Sequence, residues 1–185
     1  MTPPPILVIS GTNRAESNAM KVARMLMEHY RAANVPAELF SLTELPCQVF
    51  HPDSYAKKPP EMVAVQQRVL SAAGLHVVTP EYNGSFPGVL KYFIDLLKFP
   101  ESFEHKPVAF VGEAAGAWGA LRAVEQLQHI FGYRNAHVFP QRVFIPMVKE
   151  KFDAQGKLID AELDARLSKQ VQGFANFVRR LTAVQ

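Results

Sequence analysis

Residues 75–88 read LHVVTPEYNGSFPG, an apolar run that passes directly into a loop rich in proline and glycine. The run Leu75–Thr79 does not alternate between polar and apolar residues, which predicts a strand covered on both faces. The loop Pro80–Gly88 holds two Pro and two Gly in nine residues, so it is irregular and yet restricted in its backbone. Open α/β sheets bind ligands at loops that leave the carboxyl ends of their strands. We therefore expect this loop to form part of a ligand site.

The rest of the chain continues the alternation of strand and helix. Short apolar runs predict strands at Ile6–Ile9, Ala37–Phe40, Leu75–Thr79 and Val108–Gly112, with two extended pieces at Ala136–Phe139 and Val143–Ile145. Apolar residues at helical spacing predict helices from Asn18 to about Ala33, from Pro60 to a stop at Gly74, over Pro87–Phe99, over Leu121–Ile130 and from Asp160 to Leu181. We expect one domain over residues 1–185, a three-layer α/β fold with a doubly wound, five-stranded parallel sheet in the order 2-1-3-4-5.

Composition and charge restrict the classes of function. Hydrophobic residues make up 48% of the 185 residues and charged residues 20%, which is typical of a folded soluble protein. The formal net charge is +3, and the short basic pair Lys57-Lys58 falls in a Pro-containing loop, so we predict no nucleic-acid partner. No apolar stretch approaches the ~20 residues of a membrane span, and the N-terminus does not resemble a secretory signal. The single cysteine, Cys47, excludes an intramolecular disulfide, and we expect a cytoplasmic protein.

The segment Ser10–Asn18 is the second candidate for a ligand site. It joins the first predicted strand to the first helix, where free backbone N–H groups and the positive end of a helix favour a phosphate. The segment matches neither G-x-x-x-x-G-K-[ST] nor G-x-G-x-x-G, so a single phosphomonoester fits better than a triphosphate or a dinucleotide. The alternative is a polar turn in which Ser17 only caps the helix. In the predicted strand order both candidate loops leave neighbouring strands, at the switch point of the sheet.

Other residues carry weaker signals. The predicted helix Pro87–Phe99 is apolar on several sides, which favours a subunit interface. Phe86 and Trp118 lie in candidate loops, where each either walls a substrate site or packs inside the protein. The six histidines show no metal-ligand spacing, so we predict no metal site, and Cys47 is interpreted as a small hydrophobic residue.

Three motifs connect these segments to a known family. Gly11–Arg14 followed by Ser17-Asn18 is close to G-S-x-R-x-x-S-x-N, and Pro80–Asp95 carries the pattern P-E-Y-N-x-S-x-P-G-x-L-K-x-x-I-D. A weaker match is Gly116–Ala123, similar to G-x-x-G-G-x-R. The chain thereby resembles the NADPH-dependent FMN reductase family, a flavodoxin-like group that includes chromate, quinone and azo-dye reductases. It departs from the pattern at Ala120, where a glycine is common, and at Glu113–Ala115, which replaces a Ser-containing loop.

The resemblance implies FMN as the cofactor and NADPH or NADH as the electron donor. It assigns the FMN phosphate to the first loop, at Ser10, Thr12, Arg14, Ser17 and Asn18. It assigns the isoalloxazine ring to the second loop, at Pro80, Glu81, Tyr82, Asn83 and Gly84. The other edge of the ring is assigned to the third loop, at Ala115 and Gly116. No catalytic side chain is implied, because the hydride is transferred at flavin N5. The implied acceptors are quinones, flavins, azo compounds or metal oxyanions such as chromate, reduced in a ping-pong sequence by a homodimer or homotetramer.

Two other functions stay open at this point. A flavodoxin-like electron carrier would bind FMN and turn over no substrate of its own, but such carriers are typically strongly acidic, whereas this chain carries +3. A flavin-free regulatory or scaffold protein would keep the fold and be colourless when purified.

Overall fold

Strands and helices alternate along residues 3–182, the part of the chain that this computed structural model describes. Every predicted strand and helix is present, with ends that differ by a few residues. The elements are β1 (Ile6–Ser10), α1 (Asn18–Ala32), β2 (Ala37–Ser41), α2 (Pro60–Ser71), β3 (Gly74–Pro80), α3 (Gly88–Leu96), β4 (Pro107–Glu113), α4 (Leu121–Tyr133), β5 (His137–Val138), β6 (Val143–Ile145) and α5 (Ala161–Thr182).

The strands form one parallel sheet in the order β2-β1-β3-β4-β5, which confirms the predicted order. Two short strands share the fifth position, because the chain breaks near Pro140. Strand β5 pairs with the start of β4 at Pro107 and Val108, and β6 pairs with its end over Val111–Glu113. The loops that follow β1, β3 and β4 therefore leave the same edge of the sheet.

Helices cover both faces of the sheet, so the three-layer arrangement is confirmed. One core lies between the sheet and helices α2, α3 and α4, and it includes Val77 of β3. The other core lies between the sheet and helices α1 and α5, and it includes Val78, the next residue of the same strand. Because successive strand residues point to opposite faces, a strand in this position is apolar throughout, as β3 is.

The predicted helix stop at Gly74 is wrong. Helix α2 already ends at Ser71, and Gly74 is the first residue of β3. A Cβ atom at Gly74 would lie 3.0 Å from Val178 and 3.1 Å from Phe174, both on α5. The glycine therefore permits close packing of α5 on the sheet rather than a left-handed cap.

Helix α3 is shorter than predicted, and its own chain covers most of its apolar surface. It ends at Leu96, which is buried, and Phe99 lies beyond it with 55% of its surface exposed. Tyr92 donates a hydrogen bond of 2.6 Å from its hydroxyl to the Val49 carbonyl, and its ring packs against Phe50. Contacts within the chain therefore account for most of the apolar character of this helix, and the subunit interface stays a prediction.

No helix within residues 3–182 is both long enough and apolar enough to cross a membrane.

Candidate functional site

The two predicted loops meet at the carboxyl edge of the sheet, where β1 and β3 end side by side. Ser10 pairs with Val78 across these strands, and the Gly11 N–H donates to the Val78 carbonyl at 2.8 Å. A Cβ atom at Gly11 would lie 2.7 Å from that carbonyl oxygen, so glycine is required for the approach. The switch-point arrangement expected from the sequence is therefore the one observed.

A side-chain contact joins the loops directly. Thr12 Oγ1 lies 2.9 Å from the Tyr82 hydroxyl, although the two residues are 70 positions apart in the chain. Thr12 is fully buried, and the Arg14 backbone N–H also donates to its Oγ1, at 3.3 Å. Sequence reasoning placed both residues in the site and did not predict that they bind each other.

The first loop ends at the N-terminus of α1 and presents unused donors there. Ser17 caps the helix, since its Oγ accepts the Met20 N–H at 3.2 Å. The backbone N–H groups of residues 15–18 find no acceptor in the described part of the chain. Arg14 is exposed, and the Oγ of Ser10 is buried with no hydrogen-bond partner among residues 3–182. Free N–H groups at a helix N-terminus and a nearby guanidinium suit a bound phosphate.

The second loop is a tight turn. Tyr82 and Ser85 exchange backbone hydrogen bonds of 2.7 and 3.1 Å, and the residues between them, Asn83 and Gly84, have φ values of 53° and 76°. Two central residues with positive φ define a type I′ turn, for which Asn-Gly is a preferred pair. The N–H groups of Asn83 and Gly84 have no acceptor within the described chain, and no atom lies within 4 Å of a Cβ built on Gly84. This turn is thus rigid and offers free donors with open space beside them.

The turn is fastened to the sheet through Glu81. Its N–H donates to the Glu113 carbonyl at 3.1 Å, which continues the pairing of β3 with β4 beyond Pro80. Its side-chain Oε2 is buried and has no partner among the described residues. An unpaired buried oxygen is costly, and a donor on a bound molecule would remove that cost.

The third loop follows β4 and is held along the end of β6. The Met147 N–H donates to the Gly116 carbonyl at 3.2 Å, and Ala115 and Gly116 are exposed at this edge. Ala120, at the position where the family pattern often has glycine, takes a left-handed conformation with φ of 66°. Trp118 is 64% exposed and lies 5.9 Å from the Arg122 guanidinium, measured to the ring centre. Phe86, by contrast, is half-buried and packs against the core.

Sequence reasoning named Glu113 only as a departure from the family pattern and missed that its carboxyl is buried at this edge. Glu113 ends β4 and is 5% exposed, and burial raises the pKa of its carboxyl to about 7. The Ala19 backbone N–H and the positive charge of Arg14 oppose that rise. An acidic residue directly after the apolar run Val108–Gly112 was the available signal.

The remaining candidates lie away from this edge. Cys47 is exposed in the segment between β2 and α2, and Lys57 and Lys58 lie in the loop that follows it. Asp160 caps α5 by accepting the Leu163 N–H at 2.9 Å. Among residues 3–182 no group of three or more His, Cys, Asp or Glu side chains is arranged to hold a metal ion.

Comparison with known proteins identifies the family. The family model described as NADPH-dependent FMN reductase matches residues 4–150. An NAD(P)H-dependent FMN reductase of Pseudomonas aeruginosa is 34% identical over 148 residues, which cover 78% of this chain and 79% of the relative. A 2-hydroxy-1,4-benzoquinone reductase of a Burkholderia species is 28% identical over 94% of this chain and 96% of its own length. The flavoenzyme NAD(P)H:acceptor oxidoreductase of Paracoccus denitrificans has the same fold, with a TM-score of 0.79. The match covers 96% of this chain and 98% of the Paracoccus chain, at 23% sequence identity. The chain therefore belongs to the NADPH-dependent FMN reductase family, and it is an NAD(P)H-dependent oxidoreductase whose cofactor is FMN.

Proposed function

We propose that the three loops at the carboxyl edge of the sheet hold FMN and that the enzyme passes electrons from NAD(P)H to a quinone. The observation that carries the proposal is the 2.9 Å contact between Thr12 and Tyr82, which joins a phosphate-type loop to a rigid turn with free donors. The phosphate would be held by Ser10, Thr12, Arg14, Ser17 and Asn18, the ring by Pro80, Glu81, Tyr82, Asn83 and Gly84, and its other edge by Ala115 and Gly116.

The residues present fit such a cofactor. Its phosphate needs several donors at one point, and residues 15–18 supply four free N–H groups at the start of α1, next to Arg14. Its ring system carries polar atoms along one edge, and the free N–H groups of Asn83 and Gly84 and the buried Glu81 Oε2 are available to bind them. FMN held by these residues would supply the redox chemistry, namely hydride acceptance from a nicotinamide and electron donation to an acceptor.

The protein contributes position and electrostatics rather than a reacting side chain. The turn at Tyr82–Ser85 is closed by two backbone hydrogen bonds, so the donors of Asn83 and Gly84 stay in place through a reaction. Fixed N–H donors stabilise negative charge on a reduced ring without reorganising. We propose that the electron donor and the acceptor use the same open space in turn, which is a ping-pong sequence.

Among the acceptor classes, we propose quinones first, with flavins, azo compounds and metal oxyanions such as chromate as further candidates. The support is the relative named for its reduction of 2-hydroxy-1,4-benzoquinone, which matches almost the full length of this chain. The exposed Trp118 in the third loop offers an aromatic face to a flat acceptor.

Anaerobic reduction of the purified protein tests this function. NADPH or NADH should bleach the flavin absorbance, and a quinone added afterwards should restore it over many turnovers. Bleaching without steady turnover of any acceptor would instead indicate an electron carrier, and a protein that takes up no FMN would refute the proposal. Arg14→Ala should weaken FMN binding, while Arg24→Ala, an exposed position on α1, should leave it unchanged. Equal affinity in both variants would remove Arg14 from the phosphate site.

We further propose that residues 1–185 act as one cytoplasmic domain that assembles into a homodimer or homotetramer. The aromatic residues Phe99 and Tyr133 are 55% and 80% exposed, and their ring centres lie 4.2 and 5.3 Å from the Arg134 guanidinium; this exposed aromatic patch supports a protein contact there. Sedimentation of the FMN-loaded protein measures the assembly, and a monomer at micromolar concentration would refute it.

A further inference from the structure

Glu113 lies on the face of the sheet that carries α1. It is two residues beyond Val111, which packs in the core between the sheet and helices α1 and α5, and alternation along β4 directs both side chains to that face. In the sheet Glu113 stands beside Pro80 of β3 and Ile145 of β6. Its side chain is 5% exposed, so its charge is largely removed from water.

The first turn of α1 packs against this part of the sheet, since Ala19 lies in the same buried cluster as Val111 and Ile145. A backbone N–H and one cation there lower the pKa of the Glu113 carboxyl against the effect of burial. The Ala19 N–H belongs to the first turn of α1, and Arg14 lies in the loop before that helix. The neighbours in the sheet, Pro80 and Ile145, carry no charge. Glu81, the other acidic residue of this edge, follows Pro80 and by alternation projects toward the opposite face, while its backbone N–H binds the Glu113 carbonyl. The ionised carboxylate is thus stabilised by the helix terminus and by Arg14, and destabilised by burial.

The phosphate site proposed above depends on the same two positive groups, and the following inference rests on that proposal. We propose that Glu113 is a positioning residue that controls the affinity for the FMN phosphate, because its carboxylate competes with the phosphate for the positive end of α1 and for Arg14. Phosphate binding then favours the protonated carboxyl, and a fraction of one proton is taken up from solvent. The enzyme should bind FMN more weakly as Glu113 ionises.

The pKa of about 7 for Glu113 places this ionisation in an accessible range. Each unit by which the bound phosphate raises that pKa is worth a factor of ten in FMN affinity between full protonation and full ionisation of Glu113 in both the free and the FMN-bound protein. For a rise of one unit, the dissociation constant increases about fivefold between pH 7 and pH 9. The phosphate itself does not interfere in this range, because its second pKa is about 6 and it is already a dianion.

Titration of the FMN-free protein with FMN, followed by quenching of flavin fluorescence, tests the inference. The wild type should lose affinity about fivefold or more between about pH 7 and pH 9, whereas Glu113→Gln should change less than about twofold. Glu125→Gln removes an exposed carboxylate on α4 and should behave as the wild type. Riboflavin has no phosphate, so the pH dependence of its binding should be the same in the wild type, Glu113→Gln and Glu125→Gln.

A measurement on the wild type alone guards against a variant that fails to fold. Calorimetric titration with FMN at about pH 8, in two buffers of different ionisation enthalpy, should show uptake of about 0.4 proton per FMN for a rise of one unit in the Glu113 pKa. FMN binding without proton uptake, or an equal pH dependence in the wild type and in Glu113→Gln, would overturn the role of Glu113 while the phosphate site stands. The phosphate site itself would be overturned if the wild type bound no FMN, or if Arg14→Ala bound FMN with the affinity of the wild type.

Discussion

Replacing Thr12 by valine and Tyr82 by phenylalanine, singly and together, tests the contact that joins the two loops of the site. Thr12→Val keeps the shape of the side chain and removes its hydroxyl, and Tyr82→Phe removes only the partner hydroxyl. The two oxygens are 2.9 Å apart, and Thr12 is completely buried. We expect each single variant to lower both stability and FMN affinity, and the double variant to lose little more than either one.

The structure sets the size of the effect. A partly buried hydrogen bond between neutral groups contributes about 1 kcal/mol net, and a buried group left without its partner adds to the loss. Thr12→Val should cost the more of the two, since the Arg14 N–H also binds this oxygen. We expect losses of about 1 to 2 kcal/mol for each single variant and a coupling energy of about 1 kcal/mol between them. If the loops must be joined for FMN to bind, that coupling corresponds to about fivefold in the dissociation constant.

Two assays measure this cycle. Urea unfolding of the FMN-free proteins gives the free energy of unfolding, and titration with FMN gives the affinity. Tyr133→Phe is the matched control, because its hydroxyl makes no hydrogen bond within residues 3–182 and the residue is 80% exposed. Strictly additive losses in the double variant would show that the two hydroxyls do not interact, and unchanged FMN affinity in all variants would show that the contact does not prepare the site.

Three further predictions concern stability, each measured by urea unfolding of the FMN-free protein. Gly11→Ala should cost about 2 kcal/mol or more, because the new Cβ would lie 2.7 Å from a β3 carbonyl oxygen, whereas Gly88→Ala meets no atom within 4 Å and should be nearly neutral. Glu16→Gly should stabilise the protein by up to about 1 kcal/mol, because Glu16 holds a φ of 50° that glycine adopts without strain. The control Glu28→Gly, within α1, should destabilise by about 1 kcal/mol. A loss of stability in both variants would contradict the relief of strain at Glu16. Burial lowers the pKa of His76 from 6.5 to about 4. Its contribution to stability is complete above about pH 6.5 and is lost progressively as the pH falls to about 4, because only the unfolded state binds the proton in that range; the expected loss is about 3 kcal/mol. An identical acid profile in His76→Gln would refute it.

The strand order and the positions of the two main loops were predictable from sequence. Uninterrupted apolar runs such as Leu75–Thr79 are typical of strands covered on both faces, and their alternation with helices leaves few possible topologies. The turn at Asn83-Gly84 was also within reach, because this pair tolerates positive φ values better than most residues. The apolar runs and the turn depend on neighbouring residues, so the local pattern is sufficient to predict them, and general rules of chain connection then supply the strand order.

Other features depended on residues far apart in the chain. The segment around Phe50 covers part of the apolar surface of α3, because Tyr92 binds a carbonyl 43 positions earlier. Gly74 had the appearance of a helix stop, and its place is decided instead by the contact with Phe174 of α5. In each case packing between distant elements outweighed the local preference of the residue.

By itself the sequence determined the doubly wound fold, the family and the two loops that follow β1 and β3, because periodicity, turn chemistry and motif spacing are properties of short segments. Only the tertiary structure decided that Thr12 meets Tyr82 and that Glu113 is buried beside the start of α1. Such contacts follow from strand register and from the seating of a helix on the sheet. The free energy of a hydroxyl pair or a buried carboxyl depends on what surrounds it, and no local pattern encodes those surroundings.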